Sequence, residues 1–353
     1  MARGAVIPAA PLRLRLDGAA LVANWRALDR MAGRAACGAA VKADGYGLGA
    51  TQVVRRLADA GCRDFFVATW AEAEALGGLG APVSVLHGVR AADMAAALAS
   101  AARPVLNTAA QVQRWREAGG GVCDVMVDTG MNRLGVSAAE VAGGLLDGLR
   151  IDTLMSHLAS ADADDAASRA MSERQREALA AVAARVEAQR VSLANSAGIA
   201  LGPDYSFDLV RPGLALYGGA PRDEFAGVIA PVVQPEAEIL QRRRVPRGET
   251  VGYNATWTAR DDTEVAILNL GYADGYFRGF SDRGQAQAGD VALPVIGRVS
   301  MDLTAIDVSA APELAEGDAV AIAFSLPQAA AASAHSQYEV LTSLGARYER
   351  VWR

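Results

Sequence analysis

Over its first two-thirds the 353-residue chain repeats one unit, a short apolar run followed by an alanine-rich stretch, and this rhythm constrains the fold most. The apolar runs fall at 36–41, 64–68, 83–87, 103–106, 122–127, 151–155, 191–194 and 207–216. Helical periodicity lies between them at 71–78, 91–101, 108–118, 138–147 and 168–189, after a first helix over 18–31. Strands alternating with helices imply parallel pairing. Eight such units over about 200 residues fit a closed (β/α)8 TIM-type barrel. An open doubly wound sheet is the rival, but it would normally carry a glycine-rich phosphate loop after its first strand. Here 41–49 reads VKADGYGLG, with the lysine ahead of the glycines, which is not a P-loop.

The rhythm changes near Ala220. Short β-type runs follow at 232–240, 263–270, 291–299, 304–308 and 319–324, and helical periodicity returns only near 336–344. This predicts a second, mainly β domain. The expected division is a barrel over 12–225 and a C-terminal β domain over 226–353, joined by an N-terminal strand over 11–16.

Hydrophobic residues make up 52% and charged residues 21%, enough for a large core and too apolar for disorder. The net charge of −6 argues against a nucleic-acid partner, which would require clustered Lys and Arg. The basic run Arg242-Arg243-Arg244 reads as a solvated turn. Cys37, Cys62 and Cys123 are odd in number and widely spaced, so neither a disulfide framework nor a metal site is expected. They read as buried thiols of a reducing compartment. The N-terminal residues show no apolar leader, and no run of about 18 apolar residues could span a bilayer. A cytoplasmic protein with no membrane partner is expected.

Chemistry in a barrel collects at the C-terminal ends of its strands. Those ends supply Lys42, His87, Asn107, Asp128 with Arg133 beyond it, His157, Asn195-Ser196 and Arg211. Lys42 alone reads as a lysine snorkelling from a strand end, and His157 alone as a structural histidine. A lysine, a histidine and two arginines on one rim call instead for an anionic ligand. A lysine held in a desolvated mouth has a lowered pKa and can form a Schiff base. Arg211, inside the apolar segment VRPGLALYGG, must be paired or must bind a ligand.

Eight segments together resemble the successive signatures of alanine racemases: VKADGYGLG at 41–49, DTGMNRLG at 128–135, SHLASAD at 156–162, ANSAG at 194–198, VRPGLALYGG at 210–219, VGYNATWTA at 251–259, GYADGYFR at 271–278 and GRVSMD at 297–302. They run in family order through nearly the whole chain. The resemblance implies a barrel that binds pyridoxal 5'-phosphate, a C-terminal β domain, and a homodimer with shared active sites. It implies an L-alanine/D-alanine racemase that supplies D-alanine for peptidoglycan. Lys42 matches the lysine that carries the cofactor, and Tyr253 the catalytic tyrosine contributed by the partner chain. Arg211 matches the arginine facing the pyridine nitrogen, and His157 the histidine beside the ring. Tyr46, Asn195, Ser196, Gly213 and Leu214 match cofactor-binding positions. Arg133 and Met301 match positions near the substrate carboxylate. Asp162, Tyr272, Arg278 and Arg298 match residues lining the entrance.

Racemisation takes a proton from one face of Cα and returns one to the other, which two bases on opposite faces accomplish directly. Their free pKa values lie near 10, so both must be tuned downward, and Arg133 and Arg211 supply positive charge. Two positions depart from the family. Some relatives carry a carbamylated lysine seven residues before the substrate-facing arginine, where this chain has Met126. Some carry a phosphate-binding tyrosine near the C-terminus, where this chain has Ala346, with Tyr348 two residues on. A broad-specificity or serine racemase is the nearest alternative. A basic amino-acid decarboxylase fits poorly, because all three cysteines precede residue 124. A single-barrel cofactor carrier would lack the β half.

Overall fold

The computed structural model describes residues 10–353. Residues 1–9, part of the segment read above for a leader, lie outside the described residues. The chain divides into two compact units, Ala19–Ala230 and Pro231–Arg353, the latter joined by the described residues up to Gly18. The division thus falls after Ala230.

Ala19–Ala230 is a closed parallel barrel. Its strands neighbour one another in the order Ala36–Cys37, Leu209–Val210, Ala188–Ser192, Ile151–Met155, Cys123–Met126, Arg103–Leu106, Val83–Val85, Phe65–Val67 and Ala39–Ala40. The first and last are halves of one run interrupted at Gly38, so the sheet closes on itself with eight staves. Gly38 is required there, because an added Cβ would lie 2.9 Å from both the Asp64 carbonyl and the Phe66 ring.

Side chains alternate along each stave. Phe66, Val105, Met126, Met155 and Leu209 meet in one buried cluster, with Leu86 packed on it. Their neighbours Leu106, Val125 and Leu154 pack instead with Val112, Trp115, Leu179 and Val182 of the surrounding helices. Two or three residues earlier on these staves the barrel holds a polar layer. Ser84 Oγ donates to Asp124 at 2.6 Å, and Arg190 reaches Asp64 and Asp152, each at 2.7 Å. Asp124 is fully buried, and that burial raises its carboxyl pKa despite Arg103 nearby. The barrel is therefore polar at the floor, apolar in the middle and open to chemistry at its other end.

Several predicted bounds shift. The helix predicted over 138–147 stops at Ala142, where Gly143 and Gly144 follow. The one predicted over 168–189 ends at Ala183, and 188–189 open the strand Ala188–Ser192.

The second unit is mainly antiparallel β. Its thirteen-residue strand Val233–Val245 pairs with Leu12–Leu16, Ala319–Ile322 and Thr263–Leu268, bending at an irregularity between Ile239 and Gln241. Thr304–Asp307, Val291–Ile296 and Gln285–Ala288 complete the circuit back to Ala319–Ile322, and Glu349–Trp352 runs parallel to Leu12–Leu16. Arg242-Arg243-Arg244 lies within the long strand and is not a turn. Arg242 reaches Glu264 at 3.2 Å and Arg244 reaches Asp262 at 2.5 Å, so acids across the ladder hold the run extended. A helix absent from the periodicity, Leu326–Ser333, precedes Gln337–Thr342, because its alanine-rich sequence has little polar contrast between faces. The three cysteines are buried thiols.

Candidate active site

Lys42 opens a turn with the wrong hand. Ala43, Asp44, Gly45 and Tyr46 all have φ between 52° and 63°, so four successive residues wind left-handed. For residues with a Cβ this conformation costs roughly 1–2 kcal/mol each and must be enforced by its surroundings. The enforcers are visible. Gly45 N–H donates to Val41 C=O and Gly47 N–H to Ala43 C=O, both at 2.8 Å. Asp44 accepts from Ala50 N–H at 2.8 Å. Glu72, from helix Trp70–Leu76, accepts from Ala43 N–H and Ala68 N–H, both at 2.7 Å. The turn places Tyr46 inside, where it stacks on Tyr217 at 4.7 Å. Burial lowers the Lys42 pKa, and Arg133 lowers it further, against a smaller upward pull from Glu72.

Arg211 is buried on the next stave around the closure. Its guanidinium donates to Ser192 Oγ and, at 2.6 Å, to the Ser156 carbonyl, and it lies 6.0 Å from the Phe66 ring centroid. None of these partners carries negative charge. Desolvation brings its pKa down to about 10, so it remains a cation at neutral pH. His157, after strand Ile151–Met155, is driven down to about 3, first by burial and then by Arg211, Arg133 and Lys42. The imidazole is neutral at any working pH, and the positive charge of three side chains helps to keep it so. That surplus of positive charge suits an anionic group.

Ser196 is fitted to bind such a group. Its Oγ accepts from Gly213 N–H at 2.9 Å and Ala215 N–H at 3.2 Å. A hydroxyl has two acceptor positions and one proton, so the proton is left to be donated. Asn195 caps the following turn by accepting from Gly198 N–H at 2.9 Å. Gly213 must be glycine, because a Cβ would run into the Tyr46 hydroxyl, and the buried Leu214 opens the turn Leu214–Tyr217. Arg133 is exposed on a loop that Asp128 organises by accepting from Gly130 N–H at 2.8 Å and Asn132 N–H at 3.1 Å. Asp162 is exposed on the same unit. A recess of about 1120 Å³ on the barrel's flank, against helices Trp70–Leu76 and Met94–Ala99, includes none of Lys42, His157 and Arg211. Glu72 and Ser192 were missed from sequence. Glu72 carries the signal of a capping box with Thr69, but nothing in its spacing points at Lys42.

The other predicted residues belong to the β unit. Tyr253 sits on a small hairpin between Thr250–Val251 and Trp257–Thr258, with 67% of its surface exposed. Gly252 (φ 80°) and Gly297 (φ 66°) let this hairpin lie against 297–298, and Gly297 could carry no Cβ without reaching 2.6 Å from the Val251 carbonyl. Tyr253 lines a shallow recess of about 380 Å³ with Arg298, Ser300 and Leu303. Met301 is 53% exposed. Arg278 lies over the Tyr272 ring at 5.2 Å. Asp274 and Asp302, on the two loops that carry Tyr272 and Met301, are bridged by Arg347 at 2.6 and 2.7 Å. Tyr348 is buried and does not face solvent.

Comparisons with known proteins match both units. The alanine racemase N-terminal domain matches residues 16–221 and the alanine racemase C-terminal domain residues 232–352. Alanine racemase of Acidiphilium cryptum is 44% identical, with 96% of this chain and 98% of that protein covered. That of Methylobacterium nodulans is 43% identical over 96% and 95%. The crystal structure of alanine racemase from Bartonella henselae with covalently bound pyridoxal phosphate superposes with a TM-score of 0.89 at 33% identity, covering 98% and 100%.

Proposed function

This chain belongs to the alanine racemase family, a pyridoxal-phosphate-dependent isomerase that racemises alanine, and on that premise we propose a two-base reaction carried by Lys42 and Tyr253. The observation that carries the reading is the charge of the barrel mouth. Burial, with the positive charges of Arg211, Arg133 and Lys42, keeps His157 neutral, and the buried Arg211 has only uncharged hydrogen-bond partners. Those residues fit an anionic cofactor. Lys42, Tyr46, His157, Asn195, Ser196, Arg211, Gly213 and Leu214 would hold it, with the Ser196 proton directed to its phosphate.

Bound pyridoxal phosphate supplies an electron sink for the pair left when the substrate α-proton departs. Lys42 Nζ gives up its proton more readily than a free lysine, which suits it both to carry the cofactor and to exchange a proton at Cα. The Tyr253 phenol of a second copy exchanges the proton on the opposite face. The exposure of Tyr253 and Met301 on the β unit supports their use against another chain. Arg133 and Met301 hold the substrate carboxylate, and Asp162, Tyr272, Arg278 and Arg298 line the entrance. Arg211 stays a cation at neutral pH and would not yield its proton to the cofactor's ring nitrogen, which would limit side reactions. The D-alanine formed serves peptidoglycan synthesis in the cytoplasm. Among the described residues no helix is long and apolar enough to cross a membrane.

Incubating the purified protein with L-alanine in deuterated water tests the reading. The expected result is D-alanine with deuterium at Cα, and absence of D-alanine would overturn it. Mixed dimers of Lys42→Ala and Tyr253→Phe chains test the sharing. Each homodimer is expected to be nearly inactive, and the mixed one to recover about half the wild-type activity from its single intact site. No recovery would count against sites built from two chains.

A further inference from the structure

Helix Ala166–Ala183 packs on the barrel through Ser172, Gln175, Leu179 and Val182, a stripe at helical spacing. Gln175 is fully buried in that stripe, where burying an amide is costly unless its polar atoms are bonded. They are bonded at both ends. Nε2 donates to the His157 carbonyl at 2.9 Å and, more distantly, to Thr129 Oγ1 at 3.5 Å. Oε1 accepts from Ala159 N–H at 2.9 Å. Thr129 Oγ1 is in turn 2.7 Å from Ser156 Oγ, and Thr129 begins the loop that Asp128 organises and that carries Arg133. One carboxamide therefore clamps the backbone on both sides of Leu158 and ties the His157 loop to the Arg133 loop.

We propose that Gln175 is a positioning residue for the reaction, setting the orientation of His157 and coupling it to the Arg133 loop. The proposal rests on the assignment of His157 to the cofactor. The side-chain chemistry selects glutamine. A carboxamide both donates to His157 C=O and accepts from Ala159 N–H at this length, and does so at any pH. An ionised glutamate keeps the acceptor and loses the donor. Methionine fills the volume and loses both, and asparagine is one methylene short.

The chain has only three histidines, so the His157 ring can be followed by NMR in the cofactor-free protein. Gln175→Met is expected to shift the His157 ring signals and to speed exchange of the Ala159 amide. Gln175→Glu should shift the ring while keeping Ala159 protected. With cofactor loaded, kcat should fall roughly ten- to hundredfold in Gln175→Met, with a smaller fall in Thr129→Val. If Gln175→Met fails to fold, Gln175→Glu and Thr129→Val carry the test. Unchanged His157 signals in every variant that folds would overturn the proposal. A shifted His157 ring with unchanged cofactor absorbance and kcat would leave Gln175 a determinant of His157 geometry, and would sink the assignment of His157 to the cofactor and with it the role in catalysis.

Discussion

The barrel mouth and the Tyr253 hairpin differ in how they are held. At the mouth Lys42, Arg211 and His157 are held through hydrogen bonds made by their neighbours. Glu72 and Asp44 hold the turn after Lys42, Ser192 and Ser156 hold Arg211, and Gln175 holds the chain around His157. Tyr253 stands two-thirds exposed on a hairpin that glycines allow to lie close to 297–298. The mouth is tuned by desolvation and convergent charge, as the lowered pKa values of Lys42 and His157 show. The hairpin offers a side chain that its own unit leaves in solvent. A fixed, charged recess suits tight retention of a cofactor, and an exposed tyrosine suits service to another surface.

The strongest test of the contrast is Lys42→Ala. It should abolish the visible absorbance of bound cofactor and lower racemisation by at least about a thousandfold. Unchanged absorbance would remove Lys42 as the attachment point. Next is the apolar layer beneath the mouth. Met126→Ala is expected to cost about 2–5 kcal/mol, measured by urea unfolding, because it hollows the cluster of Phe66, Val105, Met155 and Leu209. A loss under about 0.5 kcal/mol would mean that the layer collapses around the gap.

The pH response of the cofactor-free protein follows from His157. Its folded pKa lies near 3, below the unfolded value of 6.5, so the unfolded chain binds more protons between those limits. Stability therefore falls as pH drops from about 6.5 toward 3. His157→Asn should flatten the fall, read as the slope of the unfolding midpoint against pH. An unaltered slope would show that His157 charges freely in the folded state. The smallest effect belongs to the hairpin, where Tyr253→Phe should change stability by no more than about 0.5 kcal/mol while activity falls sharply. A clear destabilisation would show that the phenol is part of the unit's own packing.

Much of this was legible in the chain. The alternation of apolar runs with helical stretches predicts an eight-stranded barrel, because parallel staves buried on both faces must be apolar and their crossovers must be helical. Strand ends then mark Lys42, His157 and Arg211 as rim residues without coordinates. The short helix Leu326–Ser333 was not legible, nor was the strand character of Arg242–Arg244, since a ladder of acids across the sheet is invisible along the sequence.

By itself the sequence determined the barrel, the β half and the family, because periodicity and ordered motifs are local properties that survive without contacts. Only the tertiary structure decided the left-handed turn at Lys42, the neutral state of His157 and the clamp at Gln175. Each depends on groups distant in sequence: Glu72 on Ala43, Arg211 on His157, and a helix on the loop between strands. Burial turns the last two pairings into strong ones, because a desolvated charge or amide cannot exchange its partner for water.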